Sequence, residues 1–157
     1  MYRLAISTFI RASPQICFDL ARSVDVHLQS ASDSDERVIA GRNTGLLELG
    51  DEVTWQGKHL GFTHRLSSKI IILQPPDFFQ DRMMRGPFGF LEHDHRFEPQ
   101  NNDTQMTDVL TFQAPFGPIG WLAERLILAP HLRRFLMQRA TVLKQLAEQQ
   151  PATSKSL

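Results

Sequence analysis

Apolar residues recur at three- and four-residue spacing near the end of the chain. Leu132, Leu136 and Leu143 fall on one side of a helical projection, while charged and amide side chains take the other side. This period matches the about 3.6 residues of a helical turn, so residues 118–149 are predicted to form a long amphipathic helix. A single apolar stripe needs a surface to pack against, and the preceding strands are expected to supply it.

The first half of this segment has a different pattern. Residues 119–128 are apolar almost all the way round, interrupted by Glu124 and Arg125, so we expect them to be covered on more than one side. Pro130 lacks a backbone N–H and clashes with the turn before it, which predicts a kink or short break near Ala129.

Strand-like alternation of apolar and polar residues precedes the helix. Ser13 and Pro14 form a predicted N-cap and first helical residue, and residues 23–31 have a second short helical pattern. Because no crossover helices separate the later strands, we expect an antiparallel meander. The predicted strands span residues 2–11, 36–42, 53–60, 62–73, 78–85, 88–98 and 104–114.

Composition limits the possible partners. Basic and acidic residues number 17 each, so no net field would recruit nucleic acid or an anionic membrane. Arg133, Arg134 and Arg139 are therefore interpreted as solvated surface residues. A single cysteine, Cys17, cannot form an internal disulfide, which fits a reducing cytoplasm, and its apolar neighbours favour a core position.

The chain length favours one domain with its own core. We expect a single domain over residues 1–150 and a disordered tail at 151–157, which is small and polar. The first residues alternate instead of forming an apolar run, so no signal peptide is predicted, and no apolar stretch is long enough to span a bilayer. The expected location is the cytoplasm.

Four segments of the sequence carry a resemblance to a known superfamily. They are Ser13-Pro14, the stretch 79–88 with its Gly86-Pro87-Phe88 turn, His93-Asp94-His95-Arg96-Phe97, and residues 115–120. With the order of elements, they resemble the helix-grip superfamily of START lipid-transfer domains, birch-pollen-type allergens, polyketide cyclases and coenzyme Q-binding proteins, often called SRPBCC. They are most similar to its small bacterial ligand-binding members of undefined ligand.

The resemblance implies a fold and a cavity. The fold is α+β, a helix-grip with a curved antiparallel sheet of about seven strands wrapped around the long C-terminal helix, and two short helices after the first strand. The implied cavity lies between the sheet and the helix and takes a small, mostly apolar molecule.

The last predicted hairpin places polar side chains on its apolar face. A buried aspartate is costly unless it is paired, and the register makes His95 the nearest partner of Asp108. A turn centred on residues 101–102 pairs, on this inward face, Phe97 with Met106, His95 with Asp108 and His93 with Leu110, flanked by Leu91 and Phe112.

Two further strands and the helix extend this predicted site. On each strand the register leaves two alternatives, and the sets that contain Asp81 and His64 are favoured. Residues 78–85 contribute Phe79, Asp81 and Met83, with Asp81 near His93, or else Gln80, Arg82 and Met84. Residues 62–73 contribute Phe62, His64 and Leu66, with Trp55 beside them, or else Thr63, Arg65 and Ser67. The helix is expected to close one wall or the mouth with Trp121, Leu122 and Leu126.

The polar cluster is compatible with several chemistries. His93 and His95 have a spacing that metal sites use, but a third ligand from Asp108, Asp81 or His64 lies at a distance that the sequence leaves open. We therefore expect no metal and no cofactor. His95 and Asp108 would suit a general-base pair for the cyclisation or dehydration chemistry of the superfamily's cyclase branch.

The favoured interpretation is a satisfied polar pair that orients a bound ligand. The protein is expected to bind a small hydrophobic molecule such as a lipid, a quinone or a polyketide-like compound. An enzyme of the cyclase or dehydratase type is a less favoured alternative. A third is a quinone-chaperone-like interaction module that docks through apolar residues near 126–132. No nucleic acid or integral membrane association is expected.

Overall fold

A computed structural model describes residues 1–151, and the predicted order of elements is confirmed. The strands are β1 (Tyr2–Ile10), β2 (Arg37–Gly41), β3 (Glu52–His59), β4 (Phe62–Gln74), β5 (Phe78–Arg85), β6 (Phe90–Gln100) and β7 (Asp103–Gln113). The helices are α1 (Pro14–Ala21), α2 (Val24–Ser30), α3 (Gly117–Ala123) and α4 (Ala129–Glu148), with a π-helical turn at Glu124–Leu128. Beyond Pro151, the tail that was predicted to be disordered lies outside the described residues.

The strands form one sheet of seven in the order β1-β7-β6-β5-β4-β3-β2, with every pair antiparallel. From β2 to β7, each strand lies beside the next one in the chain, as predicted for a meander. Register shifts interrupt the β2/β3 and β4/β5 pairings, and such bulges bend the strands. Because α4 packs its apolar residues against this sheet, the architecture is the predicted helix-grip α+β fold.

The two short helices begin at the predicted caps. The side chain of Ser13 accepts a hydrogen bond from the Ile16 amide, and Pro14 takes the first helical position. Ser23 caps α2 in the same way by accepting from the Val26 amide at 3.2 Å. These bonds satisfy amides that have no partner inside the helix, which explains why both helices start where they do.

The C-terminal helical segment departs from the prediction in its first half. The predicted break is confirmed, since α4 begins at Ala129 with Pro130 in its first turn and the π-helical turn precedes it. The expectation that residues 119–128 are covered on more than one side is wrong. Ile119 is 78% exposed and Leu126 is 66% exposed.

A glycine and a carboxylate attach this half to the sheet. Gly120 packs so closely against the carbonyl oxygen of Pro115 that a Cβ would not fit. Glu124 is 1% exposed and accepts a 2.8 Å hydrogen bond from the Ala114 amide. Gly120 and Glu124 make the buried contacts, while the side chains of Ile119, Trp121, Leu122, Leu126 and Ile127 stay exposed. Within residues 1–151, no helix combines the length and apolar character needed to cross a membrane.

The largest apolar cluster joins α1 and α4 to the sheet. Phe18 of α1 is fully buried, and its ring meets the rings of Phe79 and Phe97 edge to face at centroid distances of 5.5 and 5.6 Å. Cys17 lies in the same cluster, in the core position that its neighbours predict. Leu143 of α4 completes the cluster from the helix side.

Removing the Phe18 ring should therefore destabilise the fold strongly. We expect Phe18→Ala to lower the free energy of unfolding by about 3–5 kcal/mol, because it leaves a cavity among buried aromatic rings. Ile119→Ala removes an exposed side chain and should change the free energy by less than about 0.5 kcal/mol. Urea denaturation of both variants measures the difference, and equal losses would contradict this description of the core.

Candidate functional site

A cavity of about 330 Å³ lies between the sheet and α4. This volume falls within the roughly 300–1,000 Å³ that is typical of small-molecule sites. Most of its wall surface is apolar. The apolar lining consists of Trp55, Leu66, Leu91 and Leu110 from the sheet and Leu128, Leu132, Phe135 and Leu136 from the C-terminal helical segment.

Four polar side chains from three neighbouring strands meet beside this cavity. We call Asp81 of β5, His93 and His95 of β6 and Asp108 of β7 the aspartate-histidine cluster. The predicted register is confirmed, since His95 pairs with Asp108, and Asp81 pairs with His93. Because side chains alternate along a strand, this register turns all four residues towards the same face of the sheet.

Short contacts connect the members of the cluster. Nδ1 of His95 lies 2.8 Å from Oδ1 of Asp108, and Nε2 of His95 lies 3.1 Å from Oδ2 of Asp81. His95 therefore bridges the two carboxylates. Nε2 of His93 is 3.3 Å from the same Asp108 oxygen but lacks hydrogen-bond geometry, and this buried atom has no hydrogen-bond partner among residues 1–151.

Burial and these contacts determine the protonation of the cluster. Burial disfavours a charged His95, but Asp108 and Asp81 outweigh it and raise the pKa of His95. Burial is likewise outweighed at Asp81 and Asp108, whose pKa values are lowered by the imidazoles beside them. The pKa of His93 is lowered by burial and then by the positive charge of His95. These contacts thus favour protonation of His95 over protonation of His93.

A second polar group lines another part of the cavity. We call His27, Glu36, His59 and His131 the glutamate-histidine group. Glu36 lies 2.7 Å from Nε2 of His27 and 3.4 Å from Nε2 of His59. Nδ1 of His59 lies 3.0 Å from Nε2 of His131, and Trp55 stacks on His27 with a centroid distance of 3.9 Å.

The charge in this group resides on Glu36. Burial, followed by the positive charge of Arg139, lowers the pKa of His27 to about 4. Burial opposes ionisation of Glu36, but the hydrogen bonds from His27 and His59 prevail and lower its pKa to about 2. A neutral imidazole of His27 that donates to a carboxylate satisfies both partners.

Sequence reasoning missed the glutamate-histidine group. Its members come from α2, the residue before β2, β3 and α4, so no common period connects them. The sequence offers one signal, its six histidines. In the structure, all six line the cavity or the recess beside it.

The expectation that Arg139 is a solvated surface residue is wrong. Arg133 and Arg134 are exposed as predicted, but Arg139 lines the cavity and its Nε is buried without a hydrogen-bond partner among residues 1–151. Arg139 lies three residues after Leu136 and four before Leu143, so it shares their face of α4. This spacing is the sequence signal that identifies it. Its positive charge stabilises the ionised form of the buried carboxylates.

Solved structures resemble this chain over nearly its whole length, although no protein family and no curated protein matches its sequence. The ZhuI aromatase/cyclase from a Streptomyces species has 11% identity and a TM-score of 0.78, with 99% of each chain covered. A START superfamily protein from Mycobacterium smegmatis has 12% identity and a TM-score of 0.72, covering 95% of this chain and 99% of that chain. For Ara h 8.0201 the identity is 12% and the TM-score 0.60, with 90% and 97% covered. This chain has the START-like helix-grip fold.

The residues that are predicted to bind a ligand fall into three sets. Trp55, His64, Asp81, Leu91, His93 and Leu110 line the cavity. A smaller recess beside the cavity is bordered by His95, Met106 and Asp108. The remaining residues lie in neither lining, namely Phe79, Met83, Phe97 and Phe112 in the apolar clusters and Trp121, Leu122 and Leu126 at the exposed surface.

This placement corrects the prediction for the third set. Side chains on the inward face of a strand pack either into the core or against the cavity. Phe79 and Phe97 lie at the end of the sheet that α1 covers, so they belong to the core. The helical residues are exposed because Gly120 and Glu124 make the buried contacts of their segment. Phe62, favoured with His64 and Leu66, is also 71% exposed at the start of β4.

Acid should destabilise the protein through His27. Its pKa is about 4 in the fold and 6.5 for the free side chain, so as the pH falls between those values only the unfolded chain gains the proton, and the free energy of unfolding decreases. His27→Gln keeps an N–H donor for Glu36. Urea denaturation from about pH 7 to about pH 4.5 should show that this variant loses about 2 kcal/mol less than the unmodified protein.

The contribution of Glu36 falls in a separate pH range. Its pKa is lowered from 4.5 to about 2, so its stabilisation is present above about 4.5 and is lost as the pH falls towards about 2. Parallel stability curves for the unmodified protein and His27→Gln above pH ~4.5 would contradict the assignment of that range to His27.

Proposed function

We propose that the protein binds a small, largely apolar molecule in the cavity between the sheet and α4. The observation that carries this proposal is the cavity of about 330 Å³ with its predominantly apolar walls. Protein interiors are close-packed, and voids larger than a water molecule are few. An apolar cavity of this size therefore favours a guest that is itself apolar.

The polar groups in the lining restrict the kind of molecule. His93 and Asp81 present the aspartate-histidine cluster to the cavity, and Arg139 contributes a further group of hydrogen-bond donors. A ligand with a hydroxyl, carbonyl or quinone oxygen on an apolar body would satisfy such groups. Lipids, quinones and polyketide-like compounds have this composition, and we propose a ligand of this class.

The similar structures agree with this proposal in general terms. One is named a START superfamily protein and another an aromatase/cyclase. Because function depends on the site and not on the fold, the support comes chiefly from the cavity and the polar groups in its wall.

Filling the cavity should prevent binding. Leu132 of α4 lines the cavity, so Leu132→Trp should weaken the binding of N-phenyl-1-naphthylamine, a neutral apolar fluorophore, at least about tenfold. Leu126→Trp makes the same change at a side chain that is 66% exposed and should leave the affinity unchanged. Fluorescence titration measures both variants.

Two results would count against binding in this cavity. One is the absence of saturable fluorophore binding by the unmodified protein, and the other is an equal loss of affinity in the Leu132 and Leu126 variants. Mass spectrometry of an organic extract of the purified protein then identifies the class of any compound that it carries.

An enzyme of the cyclase or dehydratase type is a second candidate. The specific observation in its favour is His93, whose Nε2 is buried without a hydrogen-bond partner and whose side chain lines the cavity. Because its pKa is lowered by burial, this imidazole has the composition of a general base. His95, whose pKa is raised by Asp108 and Asp81, would supply a proton donor.

A comparison of bound compounds tests this second candidate without a known substrate. We expect an Asp108→Asn variant of a dehydratase to accumulate a precursor that is heavier by one water than the compound extracted from the unmodified protein. Identical compounds in the two extracts would favour binding without catalysis. Circular dichroism of the variant checks that the fold is intact.

A further inference from the structure

Three side chains of the aspartate-histidine cluster bring potential metal-ligand atoms close together. Asp81, His93 and His95 each offer a ligand atom, and these atoms all lie within 4.8 Å of one another. Among residues 1–151, no other group of three histidine, cysteine or acidic residues meets this condition. Two imidazoles and one carboxylate form a ligand set that zinc and related divalent transition ions prefer.

The pairing of β5 with β6 supplies the ligand that the sequence alone could not place. Asp81 lies opposite His93 in the sheet, and its Oδ2 is 3.1 Å from Nε2 of His95. Bonds of about 2.0–2.2 Å to a tetrahedral ion hold neighbouring ligand atoms roughly 3.3 Å apart. The separation of Asp81 and His95 already fits such a site.

Asp108 has the position of an outer partner to this site. A histidine that ligates a metal through one nitrogen usually has its other nitrogen against a carboxylate or a carbonyl, which orients the ring. With Nε2 of His95 directed at Asp81, its Nδ1 lies 2.8 Å from Oδ1 of Asp108. The arrangement is that of a carboxylate-histidine-metal triad.

His93 provides an independent sign that the cluster is incomplete. Its side chain is 7% exposed, and its Nε2 is buried without a hydrogen-bond partner among the described residues. A buried polar atom without a partner is costly, and such atoms are rare in folded proteins. A metal ion would use the lone pair of this nitrogen.

We propose that Asp81, His93 and His95 form a binding site for one divalent transition-metal ion, for which Zn²⁺ is the probe, with Asp108 orienting His95. The ion would replace the proton on Nε2 of His95, which is released to solvent. Both Asp81 and His93 line the apolar cavity. The ion would therefore keep a coordination position that a molecule in the cavity can reach. A carbonyl, hydroxyl or enolate oxygen is the kind of group that such a position takes.

The glutamate-histidine group offers a matched control in the same cavity. His131 lines the cavity, and its Nε2 already lies in a 3.0 Å hydrogen bond with Nδ1 of His59. Its side chain is outside the converging set of ligand atoms. Replacing His131 by glutamine makes the same chemical change as His93→Gln without touching the proposed site.

Zinc binding to the purified full-length protein tests the proposal. After chelator treatment and dialysis, isothermal titration with Zn²⁺ should give one ion per chain. Loss of an outer partner weakens metal binding by about 10–100-fold. The variants His93→Gln and Asp81→Asn each remove a direct ligand and should weaken Zn²⁺ binding by more than this. The control His131→Gln should keep the affinity of the unmodified protein. Visible absorption of the Co²⁺-loaded protein should show imidazole and carboxylate coordination that His93→Gln removes.

Three outcomes would overturn the proposal. They are the absence of saturable Zn²⁺ binding, an unchanged affinity in both His93→Gln and Asp81→Asn, and an equal loss in His131→Gln. Circular dichroism and urea denaturation establish that each variant is folded, and Asp81→Asn, the more conservative change, serves if His93→Gln does not fold. The test is independent of the proposed ligand, because the Zn²⁺ and fluorophore titrations are separate and either can fail alone.

Discussion

The antiparallel pairing of β6 with β7 determines which side chains the protein encloses. Phe97 opposes Met106 and His95 opposes Asp108, so apolar and polar residues alternate along one inward face. Because the side-chain period of a strand is two, a slip of one residue would turn the whole set outwards. The apolar contacts at the α1 end of the sheet therefore hold the polar cluster in register. The pairing of β6 with β7 thus determines which polar groups lie beside the cavity.

Enclosing charges next to an apolar cavity carries a free-energy cost that the contacts have to offset. A carboxylate away from water is stable when cations and hydrogen-bond donors surround it. His95 supplies them to Asp81 and Asp108, and the neutral imidazole of His27 supplies a hydrogen-bond donor to Glu36. The low polarisability of the apolar walls strengthens each of these contacts. The site thus combines high charge density with a surface that favours an apolar guest.

Much of the fold follows from local patterns. The caps at Ser13 and Ser23 and the break at Ala129 depend on neighbouring residues alone, which is why sequence reasoning placed them correctly. The register around Asp81 was also accessible, because one alternative brought more apolar side chains inwards. The exposure of residues 119–128 could not be predicted in this way, because their apolar character suggests burial. In the structure, Gly120 and Glu124 make the buried contacts instead. Apolarity indicates which residues can be buried, and packing decides which of them are.

By itself, the sequence determined the strands, the helices and the His95 and Asp108 pair, since these depend on periods of two or about 3.6 residues and on adjacent strands. Only the tertiary structure decided which inward residues line a cavity and which fill the core. It also brought Glu36 to His27 and His59, and Arg139 to the cavity wall. The physical reason is that contacts between distant segments depend on how α2 and α4 lie on the sheet, and no local period encodes that placement.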